Sequence, residues 1–396
     1  MNNIKDYFPF FKETGWNYLD SAATSQKPTV MMEELCNYYT KYNSNIGRSV
    51  YDLAHKSEEL LGSACKKINQ FLGKSGNLSF SDGCTASLNE AVFYIQQLYT
   101  GSPAYFNKDT IILSVFEHHA NIMAWIRFTK TYNLQIYWIE KAEELEDFSN
   151  IPPNILERAL VISVCHVNNV TGEVNNLASL NKLKAKYGFL WVVDGAQATT
   201  NVKWPLGGLN VDFYAFSAHK IYGPMGLGVL WISKKIAIEN PYKLGGGIID
   251  DVTQSGYTLS NENNLMAGTQ NIANIHSFGM VIDWLGEQEE VNYKKTISCL
   301  KREIENLDNV RVLEISNKLE KTNILSINTK GIHAHDLGTF LSNKKIAVRA
   351  GKHCAHTFLN KISVNSSIRV SLGIYNDEHD LEEFVMAIKE GLRYFS

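Results

Sequence analysis

The stretch Asp212–Gly228, DFYAFSAHKIYGPMGLG, decides the fold. A strand-like run, FYAF (213–216), is followed by Ser217, His219 and Lys220, then opens into Gly223, Pro224, Gly226 and Gly228. A lysine at the end of an apolar run is unusual, because lysine is rarely buried without a partner or a task. Loss of water would lower its amine pKa and let it form a Schiff base with an aldehyde. Ser217 and His219 carry groups that could hydrogen-bond a phosphate. Taken alone, the motif suits a surface lysine in a turn better.

The neighbouring segments tilt that balance. TIILSV (110–115), ALVISV (159–164), FLWVVD (189–194) and GVLWI (228–232) are short runs rich in β-branched and aromatic residues, the pattern of buried strands. Helix-like segments lie between them, such as NLASLNKLKAKYG (176–188), with Gly188 placed as a C-cap. Strands alternating with helices predict an α/β fold: a doubly wound, mostly parallel sheet with helices on both faces. In WVVDGAQAT (191–199) a buried strand ends on Asp194, with Gly195 and Gln197 behind it. The carboxyl ends of parallel strands are where such sheets bind ligands. An aspartate there can hold the pyridinium proton of pyridoxal phosphate, although a helix N-cap is the commoner use. Asp194 and Lys220 both close apolar strands, which suits a cofactor gripped at its ring nitrogen and its aldehyde.

The last third has another rhythm. Tyr293, Ile297, Leu300, Ile304 and Leu307 share one helical face. NILSIN (323–328), IAVR (346–349) and SIRVS (367–371) follow as candidate strands. A final amphipathic helix carries Leu381, Phe384, Val385, Ile388 and Leu392, with Asn376 or Asp377 as N-cap. This predicts a large domain over 20–287 and a smaller α+β domain made of 288–396 and the segment 1–19.

Bulk properties narrow the function. A 396-residue chain with 44% hydrophobic and 20% charged residues is ordinary globular protein. A net charge of −3, with no basic run, argues against nucleic acid or an acidic membrane surface as partner. No apolar run approaches membrane-spanning length, and the start, MNNIKDYFPFFKETG, lacks the pattern of a signal peptide. Six scattered cysteines without a CxxC pair favour free thiols in a reducing compartment, so the cytoplasm is expected. One of them stands apart. RAGKHCAHT (349–357) sets Cys354 between His353 and His356, with Lys352 and Arg349 upstream. Nearby cations lower a thiol's pKa and make it reactive.

Taken together, YLDSAATSQKP (18–28), FEHHAN (116–121), HVNNVTG (166–172), VVDGAQA (192–198), FYAFSAHKIYGPMGLGVL (213–230), AGTQNIA (267–273), IAVRAGKHCA (346–355) and IRVSLGIYN (368–376) resemble the class V aminotransferase family of fold-type I pyridoxal phosphate enzymes. Within it the chain is similar to the Suf-type (group II) cysteine desulfurases. The resemblance implies roles residue by residue. Lys220 is the Schiff-base lysine and moves the Cα proton. Asp194 is the pyridinium partner, with Gln197 and Asn169 near the ring oxygen. His119, the second histidine of EHHAN, stacks on the ring. Thr85, Ser217 and His219 hold the phosphate, beside Cys84. Thr269 reaches the phosphate of the partner subunit, which implies a homodimer with shared active sites. Arg369 clamps the substrate carboxylate, with Arg349, Asn169 and Ala23 also on the substrate side. Cys354 takes the sulfur of L-cysteine as a persulfide and alanine leaves; a sulfur-acceptor protein would follow. Lys352, His353 and His356 would support the thiolate. No metal is implied, since no third ligand joins the EHHAN histidines at metal spacing.

The chain also departs from that pattern. Gly47 and Tyr51 stand where histidines are usual, around a retained Arg48. Asp82, Cys84 and Ala86 replace an arginine or polar residue, a threonine and a glutamate; Met266 and Gln270 replace a glutamate and a proline. Lys352 replaces a histidine, and AHT (355–357) replaces Ala-Gln-Pro. Rival readings are a selenocysteine lyase, a cysteine sulfinate desulfinase or another β-lyase or aminotransferase of the same fold. A sulfur-handling scaffold without catalysis is a further one. A nucleotide-binding dehydrogenase is disfavoured, because no GxGxxG opens a helix after an early strand.

Overall fold

The computed structural model describes residues 3–47, 49–105, 107–260, 265–289 and 291–395, so Arg48 lies outside the described residues. Seven strands form the main sheet: β1 (Asn77–Ser81), β2 (Thr110–Ser114), β3 (Gln135–Ile139), β4 (Ala159–Cys165), β5 (Leu190–Asp194), β6 (Phe213–Ser217) and β7 (Gly228–Ile232). Their order is β1-β7-β6-β5-β4-β2-β3. From β6 to β3 every pair is parallel, whereas β7 runs antiparallel to both β6 and β1. An antiparallel return needs no crossover helix, so the short glycine-rich segment after Lys220 is enough to connect β6 to β7.

The apolar runs are continuous because helices cover both faces. Ile111, Leu113, Val192 and Phe213 face the helices Cys84–Gly101 and His119–Tyr132 through Leu88, Ile95, Trp125 and Phe128. Ile112, Val193, Tyr214 and Trp231 join the opposite core, with Leu61 and Ile68 of helix Asp52–Leu72 and Ile275 and Phe278 of helix Ile272–Gly286. Gly188 takes the left-handed conformation (φ 66°) that ends helix Ala178–Tyr187, as expected of a C-cap. β1, the edge strand β3 and an exposed hairpin (Ile249–Thr253 with Gly256–Leu259) have no counterpart in the sequence reading.

A second, antiparallel sheet contains β8 (Val310–Val312), β9 (Ile324–Thr329), β10 (Arg349–Gly351) and β11 (Ser367–Ser371), in the order β8-β9-β11-β10. Ile297, Leu300, Leu337, Phe384 and Ile388 pack on it from helices Tyr293–Glu305, Ala334–Asn343 and Glu378–Tyr394. Asp377 caps the last helix in a reciprocal capping box with Asp380. The run IAVR does not form one strand. Ile346–Ala347 pairs in parallel with Asn17–Tyr18, while Arg349–Gly351 pairs with β11. Among the described residues no helix is long and apolar enough to cross a membrane.

Candidate active site

The parallel strands all end on one side of the sheet, where a cavity of about 410 Å³ opens. Lys220, Asp194, Gln197, Asn169, Cys84, Thr85, Ser217 and His219 all line it, so eight of the sequence-predicted residues converge. Asp194 pairs in register with Ala215 on the adjacent strand β6, which sets the carboxylate beside the turn carrying Lys220. Burial lowers the Lys220 pKa; Asp194 and Cys84 act against that, and Arg369 and Arg349 reinforce it. The turn is pinned from the N-terminal segment. The His219 carbonyl accepts hydrogen bonds from Ser25 N (3.0 Å), Ser25 Oγ (2.9 Å) and Lys27 Nζ (2.9 Å).

Helix Cys84–Gly101 starts at the cavity, where its first backbone N–H groups have no acceptor within the helix. Ser217 Oγ accepts the Cys84 N–H at 2.7 Å and fixes that helix start against β6. Gly228 makes the approach feasible, because a Cβ there would lie 2.4 Å from the Gly83 carbonyl carbon. Asp194 Oδ1 accepts from Ala196 N (2.9 Å) and from the Cys84 thiol (3.5 Å). Burial and Asp194 push the Cys84 thiol well up, so it stays a neutral donor. Cys165, also on the wall, is pushed up by burial, Glu117 and Asp194.

Which histidine faces the cavity differs from expectation. His118 lines it and His119 does not. His118 is the N-cap, in extended backbone, with Nδ1 accepting from Ala120 N at 3.1 Å. The helix begins at His119, and one helical step turns that ring away by about 100°. His119 Nε2 instead lies 2.9 Å from His356 Nδ1. Burial above all holds His118 down to about 4, so its ring is neutral and apolar enough to stack.

Arg369 is buried beside the cavity. Its Nη1 donates to the Asn169 carbonyl (3.0 Å) and its Nη2 to Asp20 Oδ1 (3.2 Å), while Nε has no partner. Arg349, half exposed, donates from Nε to the other Asp20 oxygen at 3.2 Å. Asp20 therefore joins the two arginines, a role the sequence reading missed, since only the tertiary fold brings the pair to it. Ala23 is half-buried and off the cavity wall, next to Ala22, whose carbonyl accepts from Gln197 Nε2 at 2.8 Å. Thr269 is exposed and is not on the wall of its own chain's cavity.

Cys354 is exposed and also lies off the wall, in a loop after β10. Asn169 Nδ2 donates to the carbonyl of His353 at 2.8 Å and ties this loop to the cavity. His353 is not a cation supporting the thiolate. It is buried with Nε2 2.8 Å from Ser367 Oγ, and burial, Arg369 and Arg349 drive its pKa down to about 3.

Pyridoxal phosphate can be tested against these residues. Its phosphate, ring nitrogen and aldehyde need donors, a carboxylate and an amine. The cavity supplies the helix start with Ser217, Asp194, and Lys220. Three buried polar atoms at or beside it lack partners: His219 Nδ1, Asn169 Oδ1 and Arg369 Nε. Buried polar atoms in folded proteins are nearly always paired, so these orphans fit a polar ligand.

A doubly wound sheet with one reversed strand, closing on a lysine–aspartate cavity, defines a fold-type I pyridoxal phosphate enzyme. Residues 17–384 match the family Aminotransferase class-V, and the chain belongs to it. A probable cysteine desulfurase of Vibrio cholerae serotype O1 is 30% identical over 385 residues, 95% of this chain and 93% of the relative. One from Halalkalibacterium halodurans is 30% identical over 409 residues, 100% of this chain and 98% of the relative. Among solved structures, the apo cysteine desulfurase of Thermococcus onnurineus NA1 superimposes with a TM-score of 0.91 at 28% identity, over 100% of this chain and 99% of that one. Cysteine desulfurase CsdA of Escherichia coli gives 0.88 at 28% identity, over 98% of each chain.

Proposed function

We propose that the chain is a pyridoxal phosphate-dependent cysteine desulfurase that moves the sulfur of L-cysteine to Cys354 and releases alanine. The observation that carries this reading is the desolvated Lys220 sharing one cavity with Asp194, beside a buried arginine with a free N–H. Lys220, Asp194, His118, Gln197, Asn169, Thr85, Ser217 and His219 would hold the cofactor. Bound there, it supplies an electron sink for charge developing at the substrate's α carbon.

The protein's own groups divide the remaining work. Arg369 receives the substrate carboxylate on its unpartnered side, and a guanidinium suits that because its fork is planar and always charged. Lys220 Nζ takes the Cα proton, a task helped by its lowered pKa. Asp194, with Oδ1 fixed by two donors, keeps a proton on the ring nitrogen. The Cys354 thiolate attacks the substrate sulfur; the S–S bond forms as the C–S bond breaks, and Cys354 is left as a persulfide.

A homodimer in which Thr269 serves the partner's site, an acceptor protein for the persulfide and a cytoplasmic location belong to the same reading. So does a division into a large domain (20–287) and a smaller one (1–19 with 288–396). The pairing of Asn17–Tyr18 with Ile346–Ala347 supports that division. The test is alanine formation from L-cysteine by the cofactor-loaded protein with a reductant present. Cys354→Ala should keep the cofactor's absorbance and lose alanine formation. Full alanine formation in that variant would remove Cys354 from the mechanism.

A further inference from the structure

His119 is free of the role the sequence suggested for it, and the structure shows what it touches instead. Its backbone N–H donates to the Cys354 carbonyl at 2.9 Å. Its Nε2 meets His356 twice, at the backbone N (3.3 Å) and at Nδ1 (2.9 Å). The two rings lie 4.6 Å apart at 30°. A backbone N–H can only donate, so His119 Nε2 is the acceptor and His356 Nδ1 carries the hydrogen.

The loop between them is strained. His353 (φ 52°) and Cys354 (φ 53°) are consecutive non-glycine residues in the left-handed region. Such a conformation persists only where surrounding contacts over-determine it. Here the contacts are Asn169 to the His353 carbonyl, His353 Nε2 with Ser367 Oγ, His119 N to the Cys354 carbonyl, Ala355 N to the Lys352 carbonyl (2.9 Å), and the imidazole pair. The imidazole pair is made of side chains off the cavity wall and flanks Cys354 directly.

We propose that His356, acting through His119, is a positioning residue for Cys354: the paired imidazoles brace the strained loop and keep the thiol at the surface rather than in the cavity. This rests on reading Cys354 as the sulfur-accepting nucleophile. It gives the AHT departure a task, since His356 supplies the donor that locks the pair. The surface position is the one from which a persulfide can be handed to another molecule.

The test is N-ethylmaleimide labelling of the full-length, cofactor-loaded protein, with the rate at Cys354 read by mass spectrometry. The exposed Cys36 and Cys299 serve as internal references. His356→Leu should slow Cys354 relative to both by roughly threefold to tenfold, the scale of one lost hydrogen bond. His356→Gln keeps an N–H donor and should restore the rate. His119→Phe keeps a ring but loses the acceptor, and should match His356→Leu; it reports independently if the leucine disturbs folding. An unchanged or faster Cys354 rate in the leucine and phenylalanine variants overturns the proposal, as does a glutamine variant no better than leucine. Alanine formation by Cys354→Ala separates the two levels. If it persists, the nucleophile reading fails; if it is lost while the labelling ratios stay fixed, only the bracing role fails.

Discussion

The cavity floor and the Cys354 loop are built in opposite ways. The floor lies at the ends of strands buried on both faces, and its groups are fixed by short bonds such as Cys84 N to Ser217 Oγ. The loop is exposed at its thiol, left-handed over two residues, and held by a few contacts from elsewhere. Chemistry at a bound cofactor requires groups that do not move, whereas sulfur transfer requires one that can face two ways. The contrast teaches that rigidity in this fold is allotted by task.

The largest effect should come from breaking the floor alone. Lys220→Ala should lower alanine formation on the order of 10²–10⁴-fold and abolish borohydride trapping of the cofactor on the chain. Maleimide labelling of Cys354 should hardly change, because nothing in the loop bonds to Lys220. A loop that changed with it would show that the two regions are one unit.

Arg369 sharpens the comparison, because it touches both. It bonds the carbonyl of Asn169, whose amide bonds the carbonyl of His353. Arg369→Lys keeps the charge and loses the fork. Steady-state kinetics should show KM for L-cysteine raised by about tenfold to a hundredfold, with a smaller change in kcat. An effect confined to kcat would place Arg369 with the loop rather than with the substrate.

The smallest effect is on stability against acid. His166, beneath the sheet, is held down to about 4 by burial, and His353 to about 3, from an ordinary 6.5. Both are neutral when folded and must charge on unfolding, so their contribution is complete above pH 6.5 and is lost as pH falls toward those values. Each gives a slope of up to about 1.4 kcal/mol per pH unit in that window. Glu117, raised to about 7 by burial, has the opposite sign, and the half-buried His118 and His219, both lowered to about 4 chiefly by desolvation, side with the first pair. Thermal midpoints should fall between pH 7 and pH 5, and less steeply in His166→Gln.

The sequence made the central strands legible because five of them are uninterrupted apolar runs, which only a sheet covered on both faces requires. β1 (NLSFS) was hidden by its serines, and β3 (QIYWI) by its place at the edge. The floor was legible because Asp194 and Ser217 end strands and Lys220 closes the short turn after the second of them. His118 and His119 were not distinguishable, since their difference is which of two adjacent residues caps the helix. The neutrality of His353 was hidden as well: charge beside a thiol was visible in sequence, but burial against Ser367 was not. Asp20 could not be found, because its partners lie at the other end of the chain.

That distance has a consequence for assembly. Between Asn17 and Lys27 the chain pairs with Ile346–Ala347, joins both arginines, receives Gln197 and pins the lysine turn. Asp20 and Arg369 are 349 residues apart. Contacts of such separation form late, after loop-closure entropy has been met. On a ribosome, the main sheet can exist before the last strand has emerged, but the thread that sews the site together has nothing to be sewn to. A truncated or unfinished chain would therefore carry the lysine and the aspartate without a place for the substrate, and competence would arrive only with completion.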